Sequence, residues 1–219
     1  MATHKVGVLI PAPNIATEPE LARHLSDEYS VHTSRMHWTR GGEEAMLDEY
    51  LPLSVRDLAA MQPDVVVFAC TTGGAVRGTE YEKNLVQWIS EQTSAPAISV
   101  MAESMRSLKD LGAQRIGVLT PYPEEDNVHI KASLMEAGFD VPVIDGLRIP
   151  GVKSPDLSTD QMIEFGKGVL AGHDIDAVFI SCTNLFTLDS LPDYEAAFGK
   201  PVVTTLSATI DAIHRTFEP

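Results

Sequence analysis

The run Asp64-Val-Val-Val-Phe-Ala-Cys70-Thr-Thr-Gly-Gly74 decides the fold. Its five apolar residues show no polar alternation, which predicts a strand covered on both faces, as in a parallel sheet. Thr71 to Gly74 then predicts a tight polar turn with a cysteine at the hinge. The chain repeats the pattern at Asp176-Ala-Val-Phe-Ile-Ser-Cys182-Thr-Asn-Leu185. These are the only 2 cysteines in 219 residues.

Working outward, other landmarks recur at nearly the same offset. Lys5-Val-Gly-Val-Leu-Ile-Pro11 matches Arg115-Ile-Gly-Val-Leu-Thr-Pro121, with the two prolines 110 residues apart. The cysteines are 112 apart, and Pro96 and Pro201, each opening a short apolar run, are 105 apart. A period this long indicates a duplicated unit rather than a solenoid. Each half alternates strand and helix about four times, which predicts right-handed crossovers and a parallel sheet.

The expected fold is therefore α/β. It has two pseudo-symmetric lobes, 1–113 and 114–219, each a four-stranded, mostly parallel sheet flanked by helices. The final helix, 206–217, is free to pack back onto the first lobe. The C-terminal strand ends of both lobes, and with them both cysteines, should meet in the cleft between them. Finer expectations are a helix following Thr17-Glu-Pro-Glu20 with Leu21, Leu25 and Tyr29 inward, and an edge strand over 31–37. A helix over 43–61 should be interrupted at Pro52. Strands are expected at 97–101 and 141–149, and helices at 80–91, 104–111, 124–137, 158–171, 188–198 and 207–217.

Composition narrows the function. The net charge of −15, from 31 acidic and 16 basic residues, argues against nucleic acid or an anionic membrane as partner. An acidic substrate would need local donors, because the overall field repels it. The amino terminus shows no secretory or membrane-spanning pattern, so cytoplasmic location and reduced thiols are expected. The 7 histidines form no ligand spacing, so no metal is expected, and there is neither a P-loop nor a dinucleotide fingerprint. His214 reads as a helix-face residue, and Arg77 and Arg148 as surface arginines able to pair with a carboxylate.

Cysteine after a strand is often a mere apolar filler. Thr71-Thr-Gly-Gly74, however, suits a helix N-terminus and a nest of N–H groups beside the thiol, features that lower a thiol pKa and hold an oxyanion. The repeat at Cys182-Thr183-Asn184 lacks the glycines, leaving Asn184 to offer its amide. Two thiols on opposite walls of a cleft suit proton removal and delivery at one carbon, or attack on an activated alkene. Either route needs donors for a carboxylate carrying extra charge. Asn14 and Tyr122, each just after the first strand of its half, are placed to supply them.

Cys70-Thr-Thr-Gly-Gly74, Leu119-Thr-Pro-Tyr122 and Ile180-Ser-Cys-Thr-Asn-Leu-Phe-Thr-Leu-Asp189 together resemble the aspartate/glutamate racemase superfamily. Its nearest branch is that of maleate cis-trans isomerases and arylmalonate decarboxylases. The resemblance spans essentially the whole chain. It implies an enzyme that uses no cofactor, acts on a small carboxylate and forms a homodimer or higher homo-oligomer. It implies Cys70 as nucleophile or base, Cys182 as proton donor, and Asn14, Thr71, Thr72, Tyr122, Thr183 and Asn184 as the substrate-binding set. Decarboxylases of the branch keep only the second cysteine, so Cys70 points to an isomerase. The isomerases carry a further asparagine soon after the Ile-Pro of the second half; here Ile149-Pro150 leads to Gly151-Val152 instead. Alternatives are a racemase, a relative of the ectoine-utilisation proteins, and a two-lobed carboxylate-binding protein without chemistry.

Overall fold

The computed structural model describes residues 3–39 and 41–218. In the first half, β1 (His4–Pro11), α1 (Thr17–His24) and β2 (Tyr29–Met36) lead to a short helix α2 (Glu43–Ala45). A π-helical turn (Met46–Tyr50) joins it to α3 (Leu51–Ala59). Then come β3 (Val65–Phe68), α4 (Thr71–Ala75), α5 (Thr79–Thr93), β4 (Ala97–Ser99) and α6 (Val100–Asp110). The second half runs β5 (Arg115–Thr120), α7 (Glu124–Glu136), β6 (Asp140–Gly146), a 3-10 helix (Gly151–Asp156) and α8 (Thr159–Leu170). It closes with β7 (Ala177–Ile180), α9 (Leu191–Phe198), β8 (Val202–Thr204) and α10 (Thr205–Phe217).

Two four-stranded sheets result, ordered β2-β1-β3-β4 and β6-β5-β7-β8, and every neighbouring pair is parallel. The central strands are apolar on both faces because helices cover both, so β3 and β7 are buried throughout. The halves match in detail. Asp64 accepts a hydrogen bond from the Lys5 N–H, and Asp176 accepts from the Gln114 and Arg115 N–H groups, so one carboxylate pins the start of each central pair. At the other end, Ala69 N–H donates to Leu9 and Ser181 N–H to Leu119, both at 2.9 Å. Cys70 and Cys182 are therefore the first residues beyond equivalent ladder bonds.

One of the apolar clusters spans both halves. Met101, Met105 and Leu108 of α6 pack in a single cluster with Ile116, Phe139, Phe179 and Val203. Helix α10 leaves the second sheet and packs on α6 and α1, where Arg215 pairs with Glu103 at 2.5 Å.

Several local expectations are corrected. Val100 and Met101 begin α6 rather than extending β4, because the chain turns at Ser99 into the helix cap. Tyr29 opens β2 and stacks on His214 of α10, so it does not line α1. The 43–61 helix is broken by the π-turn and not by Pro52, which sits in the first turn of α3 where its missing N–H costs nothing. Strand β6 stops at Gly146, three residues short of the expected end. A Cβ there would lie 2.0 Å from the Tyr122 carbonyl oxygen, a backbone approach only glycine permits. Helix α9 starts at Leu191, with Pro192 in its first turn, rather than at 188.

Candidate active site

Both cysteines are free and nearly fully buried. They line one cavity of about 60 Å³ between the two sheets' C-terminal ends. Lobe one contributes Pro11, Pro13, Asn14, Trp38, Thr71 and Thr72; lobe two contributes Tyr122, Gly151, Ser154, Thr183 and Asn184. All eight residues singled out from the sequence therefore meet at one place. None of the lining residues carries a positive charge.

Cys70 ends the β3 segment in an extended conformation and caps α4, its Sγ accepting from the Gly73 N–H at 3.4 Å. Gly73 sits close against its neighbours. A Cβ there would come within 3.0 Å of that sulfur and 2.9 Å of Met46 Cε. The Thr72 hydroxyl lies 3.8 Å from the same sulfur and donates to Glu43 Oε1 at 3.4 Å. Glu43 also accepts from Trp38 Nε1 at 2.9 Å, which holds the indole over the cavity.

Cys182 is held differently. Its Sγ accepts from the Asn184 N–H at 3.2 Å, with no helix following. The Asn184 side chain turns across the cleft: Oδ1 accepts from Ile15 and Ala16 N–H, and Nδ2 donates to Gly151 O at 3.0 Å. Asn14 is equally engaged, its Nδ2 donating to Thr17 and Thr183 hydroxyls and its Oδ1 capping the start of α1. Thr17 Oγ1 donates to the Thr183 carbonyl at 2.9 Å. The two asparagines thus line the cavity while serving as cross-lobe fasteners, with no free amide hydrogen on Asn14.

The expected lowering of the thiol pKa is overturned. Burial pushes Cys70 up to about 12, and the Gly73 N–H and Thr72 hydroxyl recover only part of the loss. Nearby Glu43 and Cys182 raise it further. Burial likewise pushes Cys182 up to about 11, against the Tyr122 hydroxyl and the Asn184 N–H, which stabilise its thiolate. Desolvation of a buried anion outweighs one or two neutral donors. Burial, then the neighbouring Cys182, keeps the Tyr122 phenol well above its ordinary value, so it remains a donor. Thr71 Oγ1, next to that phenol, is buried without a hydrogen bond of normal length.

Other candidates lie outside the cavity. Arg77 is spent on Glu44 and Asp48, and Arg148 on Asp145 and the Gly146 carbonyl. Among the described residues, Glu20, His24 and Asp189 are the one trio whose ligand atoms converge, within 4.8 Å. Buried Glu20 already accepts from the Thr187 and Leu188 N–H groups at 2.9 and 2.8 Å, and His24 pairs with Asp189. That arrangement joins the lobes. No helix among the described residues is long and apolar enough to cross a membrane.

Trp38, Glu43 and Ser154 are lining or supporting residues that sequence reasoning missed. Trp38 stands in a segment read only as a loop, and Ser154 follows the Ile149-Pro150 pair in a stretch with no motif of its own.

The arylmalonate decarboxylase family profile matches residues 36–219. The maleate isomerase of Nocardia farcinica is 25% identical over all of this chain and 92% of its own length. The arylmalonate decarboxylase of Bordetella bronchiseptica is 26% identical over 78% of this chain and 71% of its own. A solved cysteine-to-serine mutant of the Nocardia farcinica maleate cis-trans isomerase carries a covalently bound succinylcysteine intermediate. It superposes with a TM-score of 0.88 at 23% identity, covering 97% of this chain and 92% of that one. Since the profile takes in most of the chain, from the end of β2 to the carboxyl terminus, the protein belongs to the arylmalonate decarboxylase family of enzymes.

Proposed function

We propose that this enzyme is a cis-trans isomerase of a small unsaturated carboxylate or dicarboxylate, working through Cys70 and Cys182 with no cofactor. The observation that carries the reading is the pair of buried thiols opening into one small, uncharged cavity. The relatives named maleate isomerase, one of them solved with a succinylcysteine, favour the same reaction.

In this mechanism Cys70 first gives its proton to solvent water, its thiolate forms a bond to one alkene carbon, and the π electrons move toward the carboxylate on the other. The Thr71 hydroxyl and the Tyr122 phenol, both facing the cavity, stabilise the resulting enediolate. Cys182 gives its proton to the carbanion carbon, leaving a saturated thioether free to rotate about the former double bond. Cys182 then takes a proton back, the C–S bond breaks, and the trans alkene leaves. Burial keeps Cys182 a neutral thiol at rest, which suits it to give a proton to the carbanion.

The same pair of thiols would serve a racemase, one removing and one delivering a proton, and the test separates them. Purified enzyme in D2O is incubated separately with maleate, aspartate, glutamate and phenylmalonate and followed by proton NMR. Loss of the maleate vinyl signal with growth of fumarate is expected. Deuterium entering an amino-acid α-position without net conversion, with maleate untouched, would replace isomerase by racemase. Light scattering on the same sample tests the expected homo-oligomer.

A further inference from the structure

Cys70 must lose its proton before it can attack, yet the residue is only 3% exposed. Among the described residues, two polar groups hydrogen-bond its sulfur. One is the Gly73 N–H at 3.4 Å, which can only donate. The other is the Thr72 hydroxyl at 3.8 Å, which can accept a proton while passing on its own. Thr72 is therefore the bonded neighbour able to carry the proton away.

That hydroxyl donates in turn to Glu43 Oε1 at 3.4 Å. The same carboxylate oxygen accepts from Trp38 Nε1 at 2.9 Å, which holds it in place. Thr72 lines both the thiol cavity and a second cavity, where it stands with Glu43, Glu44, Glu125, Asp126 and His129. Glu44, Glu125 and His129 are exposed, so the second cavity opens to water. Arg77 faces this group from α4's far end but is paired with Glu44 and Asp48. Beside the Cys182 sulfur are the Asn184 N–H and the Tyr122 phenol instead, and neither donates to a carboxylate among the described residues.

We propose that Glu43 is the relay through which the Cys70 proton reaches water. The S–H proton passes to the Thr72 oxygen as the Thr72 proton passes to the Glu43 carboxylate, which then releases it into the second cavity. When the C–S bond breaks, the same path returns a proton to the sulfur. Glu43 acts through Thr72 and does not touch the reacting atoms, so it is a positioning residue for the proton. The proposal rests on the isomerase reading for its effect on rate, but the thiol itself can be titrated without substrate.

The test follows maleate isomerisation from pH 6 to pH 9 in the wild type, Glu43→Gln, Thr72→Val, Thr72→Ser and the double variant Glu43→Gln/Thr72→Val. Glu43→Gln keeps an oxygen for Trp38 and Thr72 but takes no proton. It should lower kcat about a hundredfold and change KM less than about threefold. Its kcat should rise about tenfold per pH unit, because hydroxide must then remove the proton, and the wild type should depend on pH far less. Thr72→Val should show the same loss and slope, the double variant should be no slower than either, and Thr72→Ser should recover most of the rate. In parallel, Cys70 is titrated by iodoacetamide alkylation in Cys182→Ser, with and without Glu43→Gln. Its midpoint should stay or fall in Glu43→Gln, since the Glu43 charge pushes that thiol up. A carboxylate that merely tuned the thiol would then leave Glu43→Gln as fast as the wild type or faster, and that result would overturn the relay. So would a loss confined to KM, or losses that multiply in the double variant. If the wild type leaves maleate untouched and exchanges an amino-acid α-proton, the isomerase reading fails. The same losses measured on that exchange would uphold the relay, and their absence would overturn it.

Discussion

After β3 the chain coils at once into α4, and the Cys70 sulfur caps that helix by accepting from the Gly73 N–H at 3.4 Å. After β7 no helix forms, and the Cys182 sulfur accepts from the Asn184 N–H at 3.2 Å. The strands before the two turns are equivalent down to the last ladder bond, yet the turns differ in what else they do. The first leans on Met46 and Phe68 of its own lobe and, through Thr72, on Glu43, and it meets the other lobe through the packing of α4 on α7 and through Thr71 beside Tyr122. The second is a crossing point, with Asn184 and Thr183 bonded to residues 14 to 17 of the opposite lobe. Duplication thus places the sulfurs, while the residues after each sulfur decide whether its turn meets the opposite lobe mainly by packing or by side-chain hydrogen bonds.

The largest expected effect ignores this difference. Cys70→Ser and Cys182→Ser should each cut turnover at least about a thousandfold in steady-state assays, with far-UV circular dichroism unchanged. A variant that keeps its rate would show that one turn is only structural. The next effect separates the turns. Asn184→Ala leaves the Ile15 N–H without its acceptor, takes one of two from Ala16 and removes the bond to Gly151, and should lower unfolding free energy by about 2 kcal/mol in urea titrations. Thr72→Val at the first turn should cost less than about 1 kcal/mol, its two contacts being 3.4 and 3.8 Å long. Similar costs would erase the contrast.

Acid–base behaviour sharpens it further. Glu82 of α5 lies under the first turn, its Oε1 2.6 Å from where a Cβ on Gly74 would be, and it accepts from the Ser99 hydroxyl. Burial raises its carboxyl from 4.5 to about 7. A folded value above the unfolded one means that stability is fully present below pH 4.5 and lost as pH rises through about 7. The loss amounts to about 3 kcal/mol. Denaturant titrations at pH 5 and pH 8 should show that fall in the wild type and a much smaller one in Glu82→Gln. At the first turn itself, Gly73→Ala brings a methyl against Met46 and the Cys70 sulfur. It should cost about 2 kcal/mol and lower kcat more than it raises KM.

Much of this was legible in the chain. The apolar runs ending at Cys70 and Cys182 could only be central parallel strands, and Pro11 and Pro121 marked the turns that bring Asn14 and Tyr122 to the cleft. What sequence could not supply was burial. The pattern Cys-Thr-Thr-Gly-Gly foretells the helix cap correctly, yet the thiol pKa moves up because both cysteines are buried. The cross-lobe bonds of Asn14 and Asn184 are not legible in the chain, because their partners are about 170 residues away. Ser154 and Glu82 look like ordinary surface-helix polar residues until packing leaves one without a partner and the other without water.

The most direct test of the two-thiol account is intact-mass analysis of Cys182→Ser after incubation with maleate. If Cys70 attacks and Cys182 manages the proton, the adduct should stall on the enzyme, adding the mass of one maleate mapped to Cys70, and Cys70→Ser should stay unmodified. An unmodified Cys182→Ser protein, while the wild type still interconverts maleate and fumarate, would contradict covalent attack by Cys70.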